Sequence, residues 1–427
     1  MNKWSWIALG ALLLGSIAVM FWVTGIGEEP EPLFESMDYV ETGIPARDPR
    51  KLTVWAYGGG ARQDNWEEQI AVFEEAIGES VDLVRFENAE GYEASLRQAA
   101  AQDKLPDLML VNHRQAQELH GAGQLAPLAL PASLAAEWAD LTVESLRVPG
   151  SEESMMAYPA DFSVLVLYYN RRMFDEQGMA APGDHWSWPI LTGIAKSLYR
   201  KGEGGRPTRY GVELPLGLEL WNAVAAEYGA AVYADGAWLA SDLTEDAPQA
   251  RALKFLLDFY YTYVVVAPPT RGDTGQYFAR DASAMAVAGA ELIPLLTDSA
   301  VDWGVTFLPK QESRASALRL EGWAVRADSA KAREAAELAL LLSSESRRAG
   351  WLPARLTEPV EEERLAVFYQ QLESARPPPG VAVPTGARVI VFEEMKAAIE
   401  AGDTDPLGVV QKIGARLFPS APKPTAE

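Results

Sequence analysis

Cysteine is absent from this chain of 427 residues, and histidine occurs only three times. The lack of cysteine excludes disulfide bonds, thiolate nucleophiles and cysteine-ligated zinc or iron–sulfur sites, and it excludes a lipid-modified cysteine after a signal sequence. His113, His120 and His185 are too far apart for a two-histidine metal motif on one helix. The sequence therefore predicts no metal ion and no cofactor.

Positive charge is also scarce, because 37 Lys and Arg residues face 60 Asp and Glu residues, which gives a formal net charge of −23. This sign is unfavourable for phosphate backbones and anionic lipids, so we expect no nucleic-acid partner. No Gly-x-Ser-x-Gly elbow or His-Glu-x-x-His helix occurs, and the triplet at 58–60 lacks the Lys-Ser/Thr ending of a phosphate-binding loop. The sequence predicts no catalytic residues.

Hydrophobic residues make up 48% of the chain and charged residues 23%, which is typical of a soluble globular protein. Residues 52–57, 81–86 and 107–111 are predicted strands, and helices are predicted between them. Further helical patterns occupy 187–200, 246–263, 329–343, 386–401 and 406–418. This order predicts an α/β protein whose first strands are parallel.

The N-terminal segment has a different character, because residues 4–27 carry no charge. A helix of this length is roughly 36 Å long, enough to cross a hydrocarbon core of about 30 Å. Lys3 precedes it and acidic residues follow, which predicts a cytoplasmic N-terminus and an exported body. We expect residues 1–27 to form a membrane anchor, with a cleavable signal peptide as the alternative, and residues 28–50 to form a proline-rich linker.

One long segment, AYPADFSVLVLYYNRRMF at residues 157–174, resembles the extracellular solute-binding proteins of ABC importers. Within them it is similar to the carbohydrate-binding family that includes maltose-binding protein. Shorter stretches resemble the same family in the same order: LTVWAYG at 52–58, LPDLMLV at 105–111, GQLAPL at 123–128, the segment 278–289, WGVTFLP at 303–309 and GWAV at 322–325.

The resemblance implies a two-lobed type II periplasmic-binding-protein fold, of the α/β class, with a ligand cleft between the lobes. The chain would cross between lobes three times, near residues 158–164, 263–270 and 308–320. Residues 51–160 and 270–312 would form the N-terminal lobe, and residues 161–269 and 313–420 the C-terminal lobe. The lobes would close around the ligand by a hinge motion.

The function implied by the resemblance is that of the substrate-binding component of an ABC importer, not an enzyme. It would capture a mono- or oligosaccharide and deliver it to the transmembrane subunits of a permease, as an exported monomer anchored at the cell envelope. One alternative is a membrane-anchored ligand sensor or assembly partner with the same fold. A second alternative is a carbohydrate-active enzyme that uses two of the many carboxylates as acid and base.

Candidate ligand-binding residues lie at strand ends and at positions matched to the family. They are Tyr57, Asn112, Arg114, Asp161, Trp221, Glu291, Trp323 and Arg355. For Asp161 a structural role at the hinge is an equal alternative. Glu291 stands where maltose-type members have a sugar-stacking Trp, so the sequence suggests a more polar or cationic ligand than a maltodextrin, or a site that has lost binding.

Overall fold

The computed structural model describes residues 42–58, 64–130, 132–234, 237–238, 243–263, 265–269, 274–356, 363–376 and 387–417. The strands in this part of the chain are β1 Leu52–Tyr57, β2 Val81–Phe86, β3 Leu108–Asn112, β4 Leu128–Ala129, β5 Ser154–Met155, β6 Tyr158–Val164, β7 Val166–Asn170, β8 Arg200–Lys201, β9 Pro207–Arg209, β10 Tyr233–Ala234, β11 Ala237–Trp238, β12 Met285–Ala288, β13 Trp303–Thr306, β14 Ser316–Val325, β15 Leu352–Pro353 and β16 Ala375–Arg376.

The α-helices in the same residues are α1 Trp66–Ile77, α2 Ala89–Ala101, α3 His113–Gly121, α4 Ala132–Ala135, α5 Asp140–Leu146, α6 Arg171–Asp175, α7 Trp188–Leu198, α8 Leu218–Glu227, α9 Pro248–Tyr263, α10 Gln276–Ala279, α11 Ile293–Thr297, α12 Ala332–Ser344, α13 Glu363–Leu372, α14 Ala387–Ala401 and α15 Pro406–Leu417.

The larger sheet carries β15, β6, β14, β3, β1 and β2 side by side in that order, with β16 paired to β14. The strands β1, β2 and β3 are parallel, as predicted, and each is followed by a helix. In contrast, β14 runs antiparallel to both β3 and β6. Because it is antiparallel to β3, β14 begins beyond the carboxyl end of β3 and then runs alongside β3 towards the start of that strand.

The smaller sheet consists of β12, β7 and β13, and both partners are antiparallel to β7. Alternate side chains of β7 lie in two hydrophobic cores, as expected for a strand buried on both faces. Val166 and Tyr168 belong to the first core, which lies under the larger sheet, and Leu167 and Tyr169 belong to the second core. The helices α7, α8, α9, α14 and α15 contribute to the second core.

The strand pairing divides the chain differently from the predicted lobe boundaries. Residues 285–288 and 303–306, expected in the N-terminal lobe, pair with β7, which was expected in the C-terminal lobe. Residues 316–325, expected in the C-terminal lobe, pair with β3 and β6 of the larger sheet. The reason is that β7 is buried, so the backbone groups at both of its edges need strand partners. The chain changes sheets at Leu165 and again between Thr306 and Ser316, while the third predicted crossing stays a prediction.

The predicted membrane segment, residues 1–27, lies outside the described residues, as does the linker up to residue 41. The rest of the predicted linker is attached to the body, because the Gly43 N–H donates to Ser95 Oγ at 2.9 Å and Arg47 forms an ion pair with the buried Asp107. In the part of the chain that the structure describes, no helix has both the length and the apolar character needed to cross a bilayer.

Candidate functional site

Three polar side chains meet at one edge of the larger sheet. Tyr57 ends β1, Asn112 ends β3, and Glu321 of β14 lies directly opposite Asn112 in the strand register. Since the carboxyl ends of parallel strands share one edge, β1 and β3 place their last residues together, and the returning β14 adds a side chain from a distant part of the sequence.

A cavity of about 340 Å³ opens at this edge. Its size is within the range of small-molecule sites, roughly 300–1,000 Å³. One side is lined by elements of the larger sheet and its helices: Tyr57, Ala89, Glu90, Tyr92, Glu93, Asn112, His113, Arg114, Gln115, Ala317, Leu318, Arg319, Leu320, Glu321, Trp351 and Arg376. The opposite side is lined by the first turns of α8 and α14: Leu218, Glu219, Asn222, Ala387, Arg388 and Val389.

Tyr57 and Glu321 form the floor of the cavity, and Arg348, which is not a lining residue, contacts both of them. The Tyr57 hydroxyl donates to Glu321 Oε1, and Arg348 Nη1 donates to Glu321 Oε2. Arg348 also donates to the Tyr57 carbonyl oxygen at 3.2 Å, and its guanidinium carbon lies 4.9 Å from the centre of the Tyr57 ring. Burial and the neighbouring carboxylate of Glu321 raise the pKa of Tyr57, so its phenol stays a hydrogen-bond donor. Glu321 is thus a buried carboxylate with a partner on each oxygen.

Arg319 projects from the same strand two residues earlier and leans on Trp351. The guanidinium carbon lies 4.9 Å from the Trp351 ring centre, a cation–π distance. The guanidinium also pairs with Glu291 at 3.3 Å. About one third of the Arg319 side chain is exposed. The cavity therefore has a cation lying on an aromatic ring.

The opposite wall carries a second ion pair, because Arg388 of α14 contacts Glu219 of α8 at 2.7 Å. Burial alone would raise the pKa of Glu219, but Arg388 and Arg319 lower it, so this carboxylate is ionised. A third pair joins Arg114 to Glu93, and Arg114 also contacts Glu118 at 2.7 Å.

Guanidinium–carboxylate pairs therefore supply part of the cavity wall. The lining contains four arginines, at positions 114, 319, 376 and 388, and four glutamates, at positions 90, 93, 219 and 321. Guanidinium groups donate hydrogen bonds and carboxylates accept them, so the walls offer both to a ligand. The equal numbers favour an uncharged ligand rich in hydroxyl groups over a strongly anionic or cationic one.

Of the residues predicted from sequence, Tyr57, Asn112 and Arg114 line the cavity. Asn112 also caps α3, because its side-chain oxygen accepts from the Gln115 N–H at 3.0 Å. The oxygen is therefore engaged, and the side-chain NH₂ group is what Asn112 can offer to a ligand. Glu291 does not line the cavity, but it pairs with Arg319, which does.

Asp161 is buried in β6, away from the cavity lining, which fits the structural alternative at the hinge. Its Oδ1 accepts from the Ser346 hydroxyl at 2.7 Å. Burial raises the pKa of Asp161 to about 7, although the nearby Arg348 and Ser346 act in the opposite direction. The exposed fraction of this residue is 1%, which leaves no surface for a ligand.

The two predicted tryptophans are core residues. Trp221 is fully buried in α8, and its indole N–H donates to the Gln249 carbonyl at 2.9 Å. Trp323 is on the same strand as Arg319 and Glu321, but it pairs with Leu110 in the middle of β3 and packs edge-on against Trp66 at 5.5 Å. Trp323 is on the same face of β14 as Arg319 and Glu321, but it lies too far from the sheet edge to reach the cavity.

Arg355 is also absent from the cavity lining. It pairs with Glu137 and lies 5.3 Å from the centre of the Trp138 ring. Because Arg355 is outside the cavity lining, its contacts with Glu137 and Trp138 are those of a packing residue.

Sequence reasoning missed Arg319, Glu321, Trp351, Glu219 and Arg388. A signal existed for two of them, because the apolar strand SALRLEGWAV carries charges two residues apart, which places both on one face. Within the described residues, no group of three His, Asp or Glu side chains is arranged to hold a metal ion.

Comparison with protein families gives a match to the bacterial extracellular solute-binding proteins over residues 68–358, which is more than half of the chain. No curated protein sequence matches it. Among solved structures, an ABC substrate-binding protein of Listeria monocytogenes in complex with cycloalternan has a TM-score of 0.71 at 19% identity, covering 87% of this chain and 98% of that one.

Two further solved structures have similar folds. The maltotriose-binding protein of Thermus thermophilus, bound with maltotriose, has a TM-score of 0.65 at 22% identity and covers 87% of this chain and 100% of that one. UgpB of Mycobacterium tuberculosis, in complex with glycerophosphocholine, has a TM-score of 0.68 at 19% identity and covers 86% of this chain and 97% of that one. At these identities the similarity shows the fold, which is that of type II periplasmic binding proteins.

Proposed function

Because the chain belongs to the bacterial extracellular solute-binding proteins, we propose that it is the substrate-binding component of an ABC importer and holds a carbohydrate in the cavity at the edge of the larger sheet. Membership of this family of exported binding proteins agrees with the prediction that the chain is not an enzyme. Oligosaccharides bound to structural neighbours support the ligand class.

The observation that carries the proposal is the composition of the cavity wall. Sugar hydroxyls need donors and acceptors at once, and the pairs Arg388–Glu219 and Arg114–Glu93 offer both. Tyr57, which is partly exposed, adds apolar surface for the C–H face of a sugar ring. We propose that Tyr57, Asn112 and Arg114 contact the ligand, together with Arg319, Glu219 and Arg388.

The experiment is a thermal-shift screen of the full chain with cycloalternan, maltotriose and glycerophosphocholine, followed by calorimetric titration. A ligand at 100 times its Kd stabilises the protein by about 2.7 kcal/mol. Arg388→Met should weaken binding because it removes a cavity cation. Arg416→Met is the matched control, since Arg416 also pairs with a glutamate, Glu393, but lies outside the cavity lining. If no sugar in a wider panel binds, the proposal of a carbohydrate ligand is wrong, and the sensor or assembly role is favoured.

We also propose that the body is attached to the cytoplasmic membrane through residues 4–27 and works as a monomer with a permease. The uncharged run with Lys3 before it supports this proposal. Intact-mass measurement of the protein from the membrane fraction tests it. A mass that includes residue 1 is expected, whereas a mature chain that starts after the apolar run would show a cleaved signal peptide.

A further inference from the structure

We propose that Glu291 is a positioning residue that fixes Arg319, and that Arg319 is the residue through which the cavity discriminates between ligands. This inference rests on the proposed function, because it assigns a role within the same cavity. Glu291 was expected to face the ligand, yet it is not among the cavity-lining residues and instead pairs with Arg319, which is one of them.

The carboxylate of Glu291 is held on both oxygens. Oε1 accepts from the Gly289 N–H at 3.0 Å, and Oε2 accepts from the Ser163 hydroxyl at 3.3 Å. Ser163 is fixed in turn, because its Oγ accepts from the Ala290 N–H at 2.9 Å. These bonds come from β6 and from the turn after β12, so elements of both sheets orient the carboxylate.

Glycine at position 289 is part of this arrangement. A Cβ atom at that position would collide with Ser163 Oγ and with Glu291 Oε2. The Glu291 carboxylate folds back over the backbone of Gly289, and only a residue without a side chain leaves it room. The turn therefore has the shape needed to aim this carboxylate at Arg319.

The fixed carboxylate of Glu291 holds Arg319 in place. Its Nη1 contacts Glu291 Oε2 at 3.3 Å, and its guanidinium lies on Trp351. A guanidinium has five N–H donors, and the contact with Glu291 is an ion pair at one nitrogen, so donors on the other nitrogens remain for a ligand. Without Glu291, the guanidinium could turn towards Glu219 or Glu321, which also act on it electrostatically. The ligand would then lose a donor held at a fixed place.

The position of Arg319 also explains how the site selects. Arg319 covers part of the Trp351 ring, so recognition at this point occurs by directed hydrogen bonds from a planar cation instead of by stacking. Ligands with an acceptor oxygen at the right place gain from Arg319, and ligands without one meet a charged group that they cannot satisfy. Discrimination against the second class follows from the unpaired group.

The test is a double-mutant cycle on Kd with the probe among cycloalternan, maltotriose and glycerophosphocholine that the full chain binds best. Loss of a charge-assisted hydrogen bond in Arg319→Met should raise Kd about tenfold or more. Glu291→Gln should raise Kd severalfold in the wild-type background and leave it unchanged in the Arg319→Met background. Equal effects in both backgrounds would overturn the inference, because Glu291 would then act independently of Arg319.

Two control variants, Gly193→Ala and Glu176→Gln, separate a positioning role from a general loss of structure. Gly289→Ala should weaken binding as Glu291→Gln does, whereas Gly193→Ala should not, because a Cβ atom at position 193 meets open space. Glu176→Gln, which removes a carboxylate paired with Arg172 and Arg209 away from the cavity, should leave Kd unchanged. A loss of affinity in both glycine variants would contradict the role assigned to the turn.

A ligand-free readout keeps the two proposals separable. The same cycle on melting temperature should show coupling between positions 291 and 319, and an additive result would overturn the positioning role whatever the ligand is. A panel in which no probe binds the wild type would overturn the proposed function and the discriminating role of Arg319, while the stability cycle would still decide whether Glu291 fixes it.

Discussion

Two of the glutamates that are almost completely buried, Glu321 and Glu227, lie in regions with opposite electrostatics. Glu321, at the cavity floor, has an arginine on one oxygen and a tyrosine hydroxyl on the other. Glu227, at the end of α8 in the second core, receives an indole N–H from Trp188 at 2.8 Å. Burial raises the pKa of Glu227 to about 9, although Trp188, the backbone of Gln311 and Arg314 oppose the shift.

The contrast shows that burial alone does not decide whether a carboxyl group is charged. The groups around Glu227 are mostly neutral or distant, and Arg314 lies against the Phe307 ring and donates to the Asp184 carbonyl. Glu227 is therefore protonated at neutral pH and serves the packing of α8 against α7. Glu321, with Arg348 against it, presents a charge to the cavity. A site that binds a polar ligand keeps charges by pairing them before the ligand arrives.

The largest effect is expected from removing Arg348, the cation paired with Glu321. Arg348→Met would leave Glu321 buried beside an apolar side chain, and breaking a buried pair in this way costs about 3–5 kcal/mol. This cost is measured as the change in the free energy of unfolding, by urea titration at pH 7. Arg171→Met is the control, because the exposed pair with Asp302 at 3.5 Å should contribute less than about 1 kcal/mol. Equal losses in the two variants would mean that the floor is not the paired region described above.

The second prediction is that the stability contributed by Glu227 depends on pH. The pKa of Glu227 is about 9 in the folded state against an ordinary value of 4.5, so the folded state retains a proton that the unfolded state has released. Stability contributed by this proton is present below pH 4.5 and is lost as pH rises towards 9. Between pH 6 and pH 8 the wild type should lose about 2.7 kcal/mol more than Glu227→Gln, at 1.36 kcal/mol per pH unit.

Asp161, with a pKa of about 7, is present in both proteins and cancels from this difference. Glu68→Gln, at an exposed position of α1, should follow the wild-type pH profile. Parallel profiles for wild type and Glu227→Gln would show that Glu227 is ionised, and the contrast with Glu321 would disappear.

The smallest effect concerns the hydroxyl on the floor. Tyr57→Phe leaves Glu321 with Arg348 as its partner and should cost about 1.5 kcal/mol, the lower end for a hydrogen bond to a charged group. Urea unfolding of this variant is compared with that of Tyr261→Phe, where the tyrosine is exposed and no change is expected. An unaffected Tyr57→Phe would show that the hydroxyl does not support the charge on Glu321.

The parts of the fold that depend on local pattern could be predicted from the sequence. The strands at 52–57 and 81–86 have the predicted bounds, and Tyr57 and Asn112 were found because strand ends of a parallel sheet share an edge. Arg319 and Glu321 were missed because their position depends on β14 returning antiparallel beside β3, which is a non-local pairing. Trp323 was misjudged for the same reason, since sequence shows the face of a strand but not the depth of a residue within the sheet.

At Leu165 the chain crosses from the larger sheet to the smaller sheet, and this crossing limits the insertions and deletions that the chain can tolerate during evolution. A single residue separates β6 in one sheet from β7 in the other, and successive β7 side chains alternate between the two cores. One residue gained or lost there would exchange Val166 and Tyr168 with Leu167 and Tyr169, because strand side chains have a period of two. The second crossing, residues 307–315, has no strand on it and can change in length without reversing any face. Length variation among homologues should therefore accumulate at the second crossing and be absent at the first.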